Sequence, residues 1–171
     1  MLRELKIDNY AIIGHLDIAF HPGLNIITGE TGAGKSILLG ALSLLGGSRA
    51  DASTIRDGAA SCAGEAVFDV RGYRDELLPI FEENDLDWAD EITVRRTVSA
   101  TGKSRAFIDD IPVNLGTLRA VADRLVDIHS QHQTPLLAGT TNPNTIYEPV
   151  VAPNGSIFAG SKNGSVSNGK G

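Results

Sequence analysis

Residues 27–40 read ITGETGAGKSILLG, which sets Gly29, Gly34, Lys35 and Ser36 at the spacing G-x-x-x-x-G-K-[ST]. Glycines let a backbone curl until successive N–H groups converge on a phosphate, and a helix opening at the end of the loop adds its positive end. In that geometry Gly29, Glu30, Thr31, Gly32, Ala33, Gly34, Lys35, Ser36 and Ile37 form the cradle. The Lys35 ammonium then reaches the outer phosphates and the Ser36 hydroxyl ligates magnesium. The competing reading is an ordinary glycine turn, so the flanks decide. Leu24–Thr28 (LNIIT) follows the turn pair Pro22-Gly23 and reads as a short buried strand. Ser36–Leu45 (SILLGALSLL) is apolar and rich in helix formers, and Gly46-Gly47 supplies a stop. Strand, glycine loop and helix in that order point to bound phosphate.

The 171 residues suffice for one domain with its own core, or one domain and a tail. Hydrophobic residues at 42% and charged residues at 21% fit a globular chain, and a net charge of -6 argues against a basic surface spread over the whole molecule. A local basic patch remains compatible with it. The single cysteine, Cys62, excludes an internal disulfide and the usual thiolate zinc sites; a buried apolar packing residue is expected, with a reactive thiol the competing reading. No apolar run approaches the roughly 18 residues needed to span a bilayer, and MLRELKIDNY carries no signal-peptide core. A cytoplasmic protein with no membrane partner is expected.

Along the chain, Leu2, Leu5 and Ile7, then Leu16, Ile18 and Phe20, predict a hairpin with breaks at Asp8-Asn9 and Gly14-His15. Ser48–Ala63 reads as a polar connector and Glu65–Val70 as a strand. Tyr73–Leu86 reads as helical, with a break or a fresh helix start at Pro79. Ile92–Val98 and Arg105–Ile111 flank the turn signal Thr101-Gly102, and Arg95 and Arg96 point to opposite faces of their strand. Asp109-Asp110 is a turn signature in preference to a metal site. Asn114 caps a helix whose stripe is Leu115, Leu118, Val121, Ala122 and Leu125, and LVDIHSQ follows as a strand. From Ala138 the composition changes: Gly, Asn, Ser and Pro make up 18 of the last 34 residues. A disordered tail or a small hairpin around Pro153-Asn154-Gly155 is expected there.

Four stretches taken together carry a resemblance: LRELKIDNYAIIGHLDIAFHPGLNIITGETGAGKSILLGAL, GGSRADASTIRDGA, RRTVSATGKSRAFIDDIPV and DIHSQHQTPLL. Residues 1 to about 137 resemble the N-terminal head lobe of the RecN family, bacterial DNA-repair ATPases related to the SMC proteins. The resemblance implies an α/β P-loop NTPase fold, the N-terminal lobe of an ABC/SMC-type head, with a mixed sheet packed on the phosphate-loop helix. It implies ATP and Mg2+ as cofactors, with ATP sandwiched between two heads. Gln131 matches the family's glutamine loop, which contacts magnesium and the attacking water. Arg49 or Arg56 matches the connector position where SMC-like heads place a basic residue near phosphate or DNA. A metal site at Asp127, His129, Gln131 and His132, and plain surface polarity, are the competing readings of that segment.

Hydrolysis needs further parts: an aspartate for magnesium on a second strand and a group that positions water. These 171 residues hold no apolar run ending in Asp-Glu, no LSGG-like segment and no heptads for a coiled-coil arm. The expectation is half an ATPase head, whose partners are the C-terminal head lobe or a second head across ATP, with DNA handled indirectly by the complete protein. Weak ATP binding without efficient hydrolysis follows. The alternatives are a non-catalytic interaction module and, further off, another phosphate-loop enzyme such as a small-molecule kinase.

Overall fold

Alternating apolar residues build the main sheet, and their burial follows the alternation strand by strand. The computed structural model describes residues 1–27, 33–50, 52–129, 145–147, 150–151 and 157–158, with backbone alone at 33–35, at 127–129 and in the three short strands beyond. Strands β1 (Leu2–Tyr10) and β2 (Ile13–Ala19) form a hairpin that pairs Leu5 with Ile18 and Lys6 with Asp17. Its turn falls at Ala11-Ile12, so neither predicted break is used. Asn9 and Ala11 take left-handed backbone there, at φ 50° and 51°. The connector compensates that strain: the Ala11 N–H donates to the Thr54 carbonyl and the Arg56 N–H to the Asn9 carbonyl, both at 2.8 Å. Leu2 and Leu5 are both buried although three apart, because the register against the next strand shifts between Leu2 and Glu4.

Strands β3 (Ser61–Asp69), β4 (Glu91–Ser99), β5 (Ser104–Ile108) and β6 (Ile111–Val113) complete a six-stranded sheet in the order β2-β1-β3-β4-β5-β6. Every neighbour in it is antiparallel. The parallel pairing expected of a mixed sheet occurs separately, between β7 (Asp127–His129) and β8 (Thr145–Tyr147). Two further short strands, β9 (Val150–Val151) and β10 (Ile157–Phe158), pair antiparallel.

Three helices cover one face of the six-stranded sheet: α1 (Ala33–Leu45), α2 (Arg74–Glu83) and α3 (Leu115–Leu125). They bury Leu5, Ile7, Ala66, Phe68, Ile92, Val94 and Ile108 of the sheet against Leu38, Leu42, Leu77, Phe81, Leu118 and Leu125. A second cluster of Leu44, Ile55, Cys62 and Val98 extends the core under the connector, and it gives Cys62 the packing role expected of it. The predicted stop at Gly46-Gly47 and the Asn114 cap both form; the Asn114 Oδ1 accepts from the Thr117 N–H at 2.8 Å.

Two expectations are corrected. Residues 24–27 form no strand, and Leu24 and Ile26 are each 53% exposed. A fully buried strand needs ladder neighbours, and among the described residues none lies beside this segment. Pro79 neither breaks nor starts a helix, since α2 runs through it. The proline removes only the bond to the Asp75 carbonyl four residues back, and Asp75 and Pro79 both sit on the exposed side while Leu77 and Phe81 anchor the buried one.

Candidate functional site

Helix α1 opens at Ala33, so Ala33, Gly34 and Lys35 occupy its first turn, where the motif requires them. That turn holds no acidic side chain of its own to oppose the helix's positive end. The Ser36 side chain is exposed and Ile37 is half-buried. Gly29, Glu30, Thr31 and Gly32 lie outside the described residues, as do the Lys35 side chain and Gln131, and the glutamine-loop reading lies outside them too.

The rest of α1 is fixed at three places. Its buried side is Leu38, Ala41, Leu42 and Leu45. Midway, Tyr10 from the end of β1 comes so close to Gly40 that a Cβ there would collide with its hydroxyl. At the far end Gly47 takes φ 81°, the Gly47 N–H donates to the Leu44 carbonyl at 3.2 Å and the Ser48 N–H to the Ser43 carbonyl at 3.0 Å. This Schellman arrangement needs a residue free to adopt left-handed backbone, which is why glycine stands there.

Two arginines from other elements seize the same helix end. Arg96 of β4, only 2% exposed, donates through Nη1 to the Leu44 carbonyl at 2.8 Å and the Ser48 carbonyl at 2.6 Å, and through Nε to the Ser104 hydroxyl at 3.1 Å. Burial lowers its pKa, with the nearby Cys62 acting to raise it and Arg119 to lower it. Arg119 of α3 donates to the Gly47 carbonyl at 2.8 Å. The sequence placed Arg95 and Arg96 on opposite faces without showing which was inward. The structure turns Arg95 outward over the Phe107 ring at 4.5 Å and against Asp110 at 3.1 Å, and leaves Arg96 inside.

The two connector arginines separate. Arg49 follows the C-terminal end of α1, which a 13-residue helix carries about 20 Å from its start. Arg56 is brought back to the β1–β2 turn, where its guanidinium lies against Gly14. Both side chains are exposed. His15 pairs with Asp8 at 2.6 Å on the surface, and His21 is exposed with its backbone N–H held by Asn25. Asp109 and Asp110 form a turn with φ 49° and 64°, and the Asp109 Oδ1 accepts from the Thr93 N–H at 2.7 Å. Burial raises the Asp109 pKa. Among the described residues no three His, Cys, Asp or Glu side chains gather where they could hold a metal ion. None of the described helices is long and apolar enough to cross a membrane.

Residues 4–125 match the family described as AAA domain. DNA repair protein RecN of Xylella fastidiosa (strain Temecula1) is 40% identical over 133 residues, which cover 78% of this chain and 24% of that protein. RecN of Bacillus subtilis (strain 168) is 41% identical over 143 residues, 83% of this chain and 25% of that one. The chain thus spans about a quarter of the length of the curated relatives it matches. Among solved structures, an SMC head bound to the C-winged helix domain of ScpA superposes with a TM-score of 0.61 at 20% identity, covering 77% of this chain and 44% of that one. That likeness shows the fold, that of an SMC head. The chain therefore belongs to the AAA domain family and is homologous to the N-terminal region of the DNA repair protein RecN.

Proposed function

We propose that this chain is the ATP-binding lobe of a RecN-like ATPase acting in DNA double-strand break repair and recombination. The observation that carries the reading is the G-x-x-x-x-G-K-[ST] spacing opening a helix at Ala33, within a region 40% identical to RecN. ATP and Mg2+ fit the donor set: backbone N–H groups at Gly29–Gly34, the Lys35 ammonium and the Ser36 hydroxyl. Gln131 is assigned to magnesium and the attacking water by resemblance. Of the two connector arginines, Arg56 is the better phosphate candidate, because Arg49 follows the helix end away from the loop.

The lobe extends to about residue 137, with residues 138–171 a segment of different composition. Its partners are a C-terminal head lobe or a second head meeting it across ATP, and DNA is reached through the complete protein. The exposed Leu24 and Ile26 beside the phosphate loop support a surface that another lobe covers. Alone, the chain presents one wall of the site, so it binds MgATP weakly and hydrolyses it inefficiently. Titration of a fluorescent ATP analogue with magnesium tests this: Lys35→Ala weakens binding sharply, and equal affinity in both proteins overturns the phosphate-loop assignment. Steady-state phosphate release no greater than that of Lys35→Ala is the companion expectation.

A further inference from the structure

We infer that Arg96, with Arg119 beside it, is a positioning residue for the phosphate loop, acting through α1 from its opposite end; the inference rests on the ATP reading above. The helix end does not need Arg96 for capping alone, because its own backbone already closes it in the Schellman arrangement. A guanidinium 2% exposed is costly to bury, and its three hydrogen bonds run to the Leu44 and Ser48 carbonyls and the Ser104 hydroxyl. An apolar side chain of similar volume serves packing at least as well. What the arginine adds is a fixed geometry: one fork ties the β4–β5 hairpin to the last turn of α1 and to the residue leaving it. Arg119 ties the same turn to α3 through Gly47. α1 is thereby held to the sheet and to α3 at one end and against Tyr10 at its middle, and the loop sequence leads into its other end. A rigid rod fixed at its tail and middle has its head placed, and phosphate contacts tolerate little displacement.

Arg96→Met and Arg96→Lys in the full 171-residue chain test the clamp. The first readout is affinity for the fluorescent ATP analogue with magnesium; the second is amide hydrogen exchange along α1. Arg96→Met is expected to weaken binding about tenfold in protein that still melts cooperatively, the size of one lost charged hydrogen bond, and Arg96→Lys to recover part of it. Exchange is expected to quicken at Ile37, Leu38 and Leu39 as well as at residues 43–48. Unchanged affinity in folded Arg96→Met, or faster exchange confined to 43–48, overturns the proposal and leaves a local cap. If Arg96→Met does not fold, Arg119→Ala, an exposed side chain, carries the same two readouts with a smaller loss of about two- to threefold. Should the unaltered chain bind no nucleotide, the ATP reading fails, and the exchange pattern alone decides whether the clamp holds the start of the helix.

Discussion

Asp69 gathers three cationic groups at the end of β3. Arg71 donates to both of its carboxylate oxygens, Arg3 donates to Oδ2 at 3.0 Å, and the Met1 amino group donates to its backbone carbonyl. The Arg71 hydrogen bond leads in holding the carboxyl well below the usual carboxylate range, with burial opposing and Arg3 assisting. A depressed pKa means that the unfolded chain binds the proton more readily, so this stabilisation is complete above roughly pH 5 and is lost as pH falls below about 4. Because Arg71 is 64% exposed, the gain is about 1 kcal/mol rather than the full shift. Urea midpoints measured from pH 7 to pH 3 should fall less steeply in Asp69→Asn than in the unaltered chain. Gly40 offers a second residue-level prediction. Alanine in a helix interior gains about 1 kcal/mol over glycine, but a Cβ here collides with the Tyr10 hydroxyl, and overpacking costs about 1–3 kcal/mol. Gly40→Ala is therefore expected to lower the melting temperature, and Tyr10→Phe in the same chain to restore much of it. Strict additivity of the two changes would show that the contact carries no energy.

At the scale of elements, local signals were legible and long-range ones were not. The α3 cap is a local signal: Asn114 accepts from Thr117 three residues on. Asn114→Ala should cost about 1 kcal/mol of stability by urea unfolding, because an orphan N–H at the helix start loses its partner. The Thr101-Gly102 turn was readable for the same reason, since its hydrogen bonds sit within four residues, and Asp109-Asp110 was readable as a turn although the Asp109 bond to Thr93 was not. Pro79 was misread because the penalty of an interior proline depends on which face it occupies, and only the packed structure shows Leu77 and Phe81 anchoring the other side. Removing it should help: Pro79→Ala is expected to stabilise α2 by about 1–3 kcal/mol, seen as a higher urea midpoint. The Arg96 clamp was invisible for a different reason. Its two carbonyl acceptors lie 48 and 52 residues away, and an Arg-Arg pair on a strand names two faces without saying which is inside. In the candidate site, the cradle spacing and the helix it opens could be read from the sequence, whereas the mechanical support at the far end of α1 could not.

For the whole molecule, the segment that departs most from expectation is the one that runs into the phosphate loop. LNIIT has the composition of a central strand, yet residues 24–27 are irregular and Leu24 and Ile26 face outward. Composition states what a strand can be; ladder neighbours decide whether it forms, and the six antiparallel strands of the main sheet supply none here. In relatives such as RecN of Xylella fastidiosa about three quarters of the protein lies outside the matched region, and the proposed covering lobe is the occupant tested here. Side chains half exposed contribute little to the fold but attract other apolar surfaces. The pair Leu24→Ser, Ile26→Ser should therefore leave the melting temperature within about 2 °C of the unaltered chain, since surface substitutions are usually worth under about 0.5 kcal/mol. Sedimentation velocity over a range of concentrations should show less self-association in the double variant. A fall of many degrees would place these side chains in a packed core and remove the argument for a covering lobe, whereas unchanged self-association would move the contact surface elsewhere on the molecule.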